Sequence, residues 1–369
     1  MSTTNEVKNS TNRTVYLDLL RITATLGVLI IHTAAQKWHD ISVNSLNWEI
    51  LNFYHSFPRW GVPLFVMISG VFHLRPAKEG TSFQEEMKVI YKKVFRIVSA
   101  LVFWGVFCNL VDLSIRFFVI HEPVTLIDIV KTPAFVIFWR GYYHLWFLYV
   151  LIGLYLLTPI FRIFVNNCKK EHIEYFLLLF FIVETLALVN NIFNCFPIFK
   201  GQTIYFTIIE MTGGMGYYVA GYYFANYKLT NKTKNGIYII AVLFSLFTII
   251  GSSILSIYNK EPKEELLNYL LPNSMVVAFA IFLLFQQIFN GKEFSESKKK
   301  FISKLSKDTF GIYLIHAVIL KVLFDAIGIN MFMISPIFSV LIIAIAVMFI
   351  SEIGTILISK IPVLSKYII

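Results

Sequence analysis

The sequence predicts an all-α fold: a polytopic integral membrane bundle of about ten transmembrane helices, with both termini cytoplasmic. Three observations predict it. Of the 369 residues, 57% are hydrophobic and only 15% are charged, against about 45–50% and about 25% in an ordinary soluble domain. The apolar residues gather in runs long enough to cross a bilayer, which takes about 20 residues of helix. Lys and Arg concentrate in alternate loops between those runs. A soluble enzyme of this composition would expose large apolar patches to water. Disorder and a collagen-like fibre are excluded too, because Phe, Ile and Leu dominate and Gly has no period.

Ten runs qualify, at 15–35, 58–75, 94–120, 142–163, 173–193, 204–226, 236–257, 268–289, 309–328 and 333–358. The first could imitate a signal peptide with Ile22 to Ile31 as its core, but Asp18 and Arg21 do not suit a cleavable core. The second is short for a span, and the sixth is rich in Gly and Tyr. The third follows a basic stretch and the ninth follows Lys298-Lys299-Lys300, while the fourth opens in an aromatic belt, Tyr142 to Trp146. With the N-terminus cytoplasmic, the inner loops hold clusters such as Arg75, Lys78, Lys88, Lys92, Lys93 and Arg96. The outer loops hold only scattered cations: Lys37, Arg59, Lys131, Arg140, Lys200, Lys260 and Lys263. Inner cations exceed outer ones roughly threefold, a positive-inside pattern that a missed span would have inverted downstream. The layout is a cytoplasmic tail over 1–14, a membrane domain over 15–358 and a cytoplasmic tail over 359–369.

The net charge of +10 fits loops that face anionic membrane lipid. No nucleic-acid-reading fold accompanies it, so nucleic acid is not an expected partner. Cys108, Cys168 and Cys195 are too few and too scattered for a disulfide scaffold. His39, His55 and His73 have no spacing with cysteines or carboxylates that a metal would require, so no metal is expected.

Ionisable residues inside spans are functional candidates by default. The first span holds Asp18, Arg21 and His32. Arg21 and His32 are eleven residues apart, three turns plus about 20° at about 100° per residue, so they share one helix face. They stand about 16 Å apart along the axis. Asp18 is one turn before Arg21 and can pair with it. Snorkelling of both residues to opposite interfaces is the plainer reading, and the shared face argues against it. Asp112 and Arg116, spaced i, i+4 in the third span, are expected to pair. Glu210, just before Gly213-Gly214, is a candidate for the border of a cavity.

The segment Tyr16-Leu17-Asp18-Leu19-Leu20-Arg21 through Ile30-Ile31-His32 resembles the opening motif of membrane acyltransferase family 3, an Arg, ten residues and a His on the first helix. Three further segments are similar to patterns of that family. They are Arg59-Trp60-Gly61-Val62-Pro63-Leu64-Phe65 through Ile68-Ser69-Gly70, Tyr143-His144-Leu145-Trp146-Phe147-Leu148-Tyr149, and Gly311-Ile312-Tyr313-Leu314-Ile315-His316. The four occur in order on a ten-span layout. The likeness is nearest to the stand-alone O-acetyltransferases of bacterial surface polysaccharides, such as that of enterobacterial common antigen. One departure is Lys93-Val94-Phe95-Arg96, where the family often has Arg-x-x-Arg; Lys offers charge but not a planar bidentate fork. The extra SGNH-type hydrolase domain of some relatives is not expected.

The resemblance implies acyl transfer, most often acetyl, from cytosolic acyl-CoA to a hydroxyl of a cell-surface glycan or its lipid-linked precursor. Arg21 with Asp18, Lys93 and Arg96 would hold the donor's phosphates, since anions need cationic donors at that surface. His316 would line the donor's tunnel or, on the plainer reading, bond within the bundle. His32 would act as general base, an imidazole's ordinary pKa of about 6.5 suiting proton uptake near neutrality. The tetrahedral oxyanion would need donors, with Arg59, His144, Tyr143 and Trp146 all open. Acetyl-CoA is thus the expected acyl donor, and homo-oligomerisation is left open. The alternative is a transporter or flippase, for which ten spans and buried charge are suitable but no repeat of broken segments is found.

Overall fold

The computed structural model describes residues 15–138, 141–193 and 203–369, and these are helical with short connections. The N-terminal tail, Arg140, Cys195, Lys200 and the side chain of Glu210 lie outside the described residues. The chain order is α1 (Val15–Trp38), α2 (Leu46–Ser56), a 3₁₀ turn (Phe57–Trp60), α3 (Gly61–His73), α4 (Phe83–Phe118), α5 (Leu126–Phe138), α6 (Trp146–Asn167) and α7 (Lys170–Phe193). It continues with α8 (Thr203–Asn226), α9 (Asn231–Asn259), α10 (Pro272–Phe289), α11 (Glu296–Lys321), a π turn (Val322–Ala326), α12 (Pro336–Ser359) and α13 (Pro362–Tyr367). Among the described residues, seven helices are long and apolar enough to cross a membrane: α1, α4, α6, α9, α10, α11 with its π turn, and α12. The other three runs lie on α3, α7 and α8. α3 has only 13 residues, short of the usual span.

Helix termini follow the local chemistry. Ser82 and Glu85 form a capping box, in which Glu85 Oε2 accepts from the Ser82 amide at 2.9 Å. This starts α4 well before its apolar run, giving 36 residues, or about 54 Å, against a hydrocarbon core of about 30 Å. Ser295 caps α11, its hydroxyl accepting from the Lys298 amide, so the Lys-rich first turns continue into the apolar part. Two helices stand in segments expected to be outer loops. Ser45 caps α2, and the Trp48 indole donates to the Trp38 carbonyl at 3.0 Å, fastening α2 to α1. A Thr125–Asp128 exchange opens α5.

α1 is central: α2, α3, α10, α11 and α12 all pack on it. Over half of the apolar window is buried in α1, α10 and α11, but only 17% in α9 and 22% in α12. α9 and α12 present Ile240, Leu243, Phe247, Ile342, Phe349 and Ile353 outward, the apolar band that lipid tails require. α3 meets α8 by a reciprocal close approach. A Cβ on Gly70 would stand 1.9 Å from the Tyr218 carbonyl oxygen, and one on Gly221 would stand 1.9 Å from that of Met67. Small residues let backbones approach this closely without lipid between them.

The expected Asp112–Arg116 pair is not formed. Asp112 takes Lys321 Nζ at 2.7 Å, and Arg116 takes Glu122 at 2.7 Å. The helix spacing permitted the pair, but a cation from α11 reaches Asp112 first, and the turn after α4 brings Glu122 back to Arg116.

Gly70→Ala places a methyl against a main-chain oxygen, so the two helices must part. We expect a loss of about 1–3 kcal/mol and a lower unfolding midpoint of the detergent-purified protein, followed by Trp fluorescence. An unchanged midpoint would contradict this packing.

Candidate active site

The two polar residues of α1 sit in different surroundings. Arg21 lines a cavity of about 710 Å³ with three other cations, Lys93 and Arg96 from α4 and Lys307 from α11. The early starts of α4 and α11 therefore bring this cationic set to the Arg21 end of the bundle. Ser306 on α11 ties the α1 pair, its hydroxyl donating to Asp18 Oδ1 at 2.7 Å and receiving Arg21 Nη1 at 3.4 Å. Asp18 is buried there at 3% exposure, so its carboxylate needs such partners. Lys93 stands 5.9 Å over the Tyr155 ring and Arg21 stands 5.8 Å from the Phe72 ring, contacts that attract a cation to an aromatic face. Arg96 donates to the carbonyl of Ile369, and the Trp104 indole donates to that of Ile368 at 2.9 Å, so the C-terminal segment lies on α4 beside the cavity.

Away from the cations the cavity wall includes Phe147 and Tyr313, with ring centroids 5.9 Å apart. Beyond Tyr313 lies a cluster of imidazoles. The His32 ring is 5.2 Å from that of His316, and His316 is 5.0 Å from His144. Tyr313 touches His144 and His316 at 5.5 Å and 5.9 Å, and its hydroxyl donates to the His144 carbonyl. Tyr143, which is exposed, packs edge-on to His32 at 5.2 Å. Thus His32, His144 and His316 come together from three distant parts of the chain. His316, expected to line the donor's tunnel or to bond within the bundle, is at the His32 end with its Nδ1 on the Tyr313 carbonyl, and it does not line the cation-lined cavity. Among the described residues no group of His, Cys, Asp and Glu has the geometry to hold a metal ion.

Arg59 is also placed at this end. Its Nε donates to the His55 carbonyl at 2.8 Å and its Nη2 lies 2.7 Å from His55 Nε2. It is within electrostatic range of His32 and of Glu264. The break between α2 and α3 turns Arg59 back over α2, which makes His55 its holder. Sequence reasoning passed over His55, Ser306 and Tyr313 as functional residues. The i, i+4 step from His55 to Arg59 was a usable signal, whereas Ser306 amid lysines had none. Trp146 stacks on Tyr269 at 4.4 Å, an aromatic pair near the start of α6.

The acyltransferase domain profile of membrane acyltransferase family 3 matches residues 14–353. The chain belongs to membrane acyltransferase family 3. No match is found among curated proteins or among solved structures. Family membership and the seven apolar helices make this a multi-pass membrane protein and a transferase of the acyltransferase kind. Neither the family nor the site geometry favours transport.

Ser306→Ala removes the hydroxyl shared by Asp18 and Arg21. We expect a loss of about 1–3 kcal/mol, the cost of under-satisfying a buried polar group, read as a lowered unfolding midpoint. Wild-type stability would show the hydroxyl to be dispensable.

Proposed function

We propose that this chain transfers an acyl group, most simply acetyl, from cytosolic acyl-CoA to a hydroxyl of a cell-surface glycan or its lipid-linked precursor. The proposal includes ten membrane segments, a cytoplasmic N-terminus and a place in a bacterial cell membrane. The observation that carries it is the division of α1: Arg21 faces a basic cavity and His32 faces an imidazole cluster, with Tyr313 in contact with both regions. The basic end suits the phosphates of CoA, for which charge-assisted hydrogen bonds are the strong ones. Four cations around about 710 Å³ provide them without a metal. The thin acyl-pantetheine arm then points along α1 toward His32, about 16 Å away by helical rise.

At that end the chemistry needs few parts. His32 takes the proton of the acceptor hydroxyl as its oxygen attacks the thioester carbonyl carbon. The carbonyl oxygen becomes an oxyanion, for which the Arg59 guanidinium and the His144 ring are the donors at hand. The C–S bond then breaks, and the thiolate receives the proton from His32. Ester and free CoA leave, and His32 returns to its starting state. Exposed Tyr143 and the Trp146–Tyr269 stack suit a sugar ring on the outer side, because apolar sugar faces pack on aromatic ones.

The test follows free CoA thiol released from acetyl-CoA by purified protein. His32→Ala is expected to lower the rate by about 10²–10⁴-fold, the usual worth of a positioned base, with the protein still folded. Arg21→Ala is expected to raise the KM for acetyl-CoA by about tenfold, equivalent to about 1.4 kcal/mol, with a smaller effect on kcat. Wild-type kinetics in both variants would overturn the mechanism. Transport of a glycan lipid with no cleavage of acetyl-CoA would overturn the activity itself.

A further inference from the structure

His316 is fully buried, and its Nδ1 lies 2.6 Å from the Tyr313 carbonyl oxygen. A carbonyl can only accept, so Nδ1 carries the proton and donates. In a neutral ring this leaves Nε2 as a bare acceptor. That atom is buried and has no hydrogen-bond partner among the described residues. Buried polar atoms are nearly always partnered, and an exception needs a reason. Nδ1 is turned back onto its own helix, so the far edge of the ring, with Nε2, is turned toward the neighbouring helices. The His32 ring stands there at 5.2 Å and that of His144 at 5.0 Å.

We propose that His316 is a positioning residue for His32, its Nε2 accepting the N–H of His32 when the substrates are bound. A hydrogen bond on one imidazole nitrogen sets the tautomer, and so leaves the other nitrogen bare. His316 thereby holds His32 with its free nitrogen toward the acceptor hydroxyl, and accommodates the imidazolium formed as the hydroxyl proton arrives. The proton balance is simple. His32 gains one proton from the hydroxyl and returns it to the thiolate, while His316 keeps its own proton on Nδ1 throughout. Catalytic hydrogen bonds are commonly long before substrate binds and tighten afterwards, in keeping with a ring separation of 5.2 Å. The inference rests on the acyl-transfer reading with His32 as base.

The experiment compares His316→Phe with His316→Gln in the full-length protein, with His32→Ala alongside and acetyl-CoA as the probe. Phe keeps a planar ring and removes both nitrogens; Gln restores an acceptor oxygen at similar reach. In His316→Phe, kcat for thiol release falls by about 10²-fold and the KM for acetyl-CoA stays within about twofold, since His316 is not on the cavity wall. In His316→Gln, roughly tenfold of the loss returns. A raised KM at unchanged kcat would make His316 a wall of the donor path and overturn the proposal. So would wild-type kinetics in His316→Phe, or a Gln variant as slow as Phe at equal unfolding midpoint. Full activity in His32→Ala would instead sink the acyl-transfer reading. A readout without turnover is the ¹⁵N spectrum of histidine-labelled protein, with His32 assigned from the His32→Ala difference. His316→Phe must change the tautomer signature of the His32 ring, and an unchanged signature overturns the proposal whatever the rates.

Discussion

A guanidinium and an imidazole on one face of one apolar helix set the terms for the rest of this bundle. Such groups cannot be left among lipid tails without heavy cost, so α1 cannot lie at the periphery. It is instead ringed by five helices. α11 supplies neighbours at both levels, Ser306 for Asp18 and Arg21, and His316 for His32. The pairing of α1 with α11 is thus required twice over, about three turns apart. α9 and α12, with under a quarter of their apolar windows buried, take the outside and present aliphatic and aromatic side chains along their outward faces.

The two ends of the α1 face differ in kind, and the difference originates in where helices start. α4 and α11 begin with capped, charged turns and only later become apolar. Their first turns stand beyond the apolar zone and can carry lysines and arginines in contact with water. That is where the four-cation cavity forms. A further cation nearby, Arg162, is already paired with Glu86 and donates to the His73 carbonyl. The His32 end has imidazole rings instead, with one guanidinium, Arg59, held on His55. Phosphates are stabilised by the first setting; proton exchange between neutral partners suits the second. The close α3–α8 crossing at Gly70 and Gly221 serves the first, because α3 carries Phe65, Ser69 and Phe72 of the cavity wall.

Much of this was legible in the sequence, for a physical reason. Hydrophobic runs are local, so all ten fall on helices, and helical periodicity within one run is enough to align Arg21 with His32. What joins separate helices is not local. Nothing in the neighbourhood of Ser306 or His316 says which residues 285 positions away they will meet. The same limit misdirected Asp112: the i, i+4 rule found Arg116, while Lys321 from another helix took the carboxylate. α2 and α5 escaped notice because each is too short or too mixed in polarity to stand out from a loop. Their caps, Ser45 and Thr125 with Asp128, were present in the sequence but identify a helix only once its length is known. The family profile covers residues 14–353, so all four motif segments fall within it, as the resemblance implied.

The place of Tyr313 gives the acyl-transfer reading its physical selectivity. The cation-lined cavity has Tyr313 and Phe147 in its wall, and the imidazoles lie on the far side of Tyr313. A phosphate moving past that ring would exchange four cations for buried surroundings with one guanidinium, Arg59, already held by His55, a transfer that costs several kcal/mol per uncompensated charge. A thioester carries no net charge and suffers no such penalty. Only the neutral arm of the donor is therefore suited to the path along α1, and the nucleotide stays where the charges are. On that reading a small acyl group would need only a modest displacement of the Tyr313 side chain, which is tethered by one hydrogen bond to the His144 carbonyl. The same tether would link passage to the site beyond it, because a shift of the Tyr313 side chain loads its hydrogen bond to the His144 main chain.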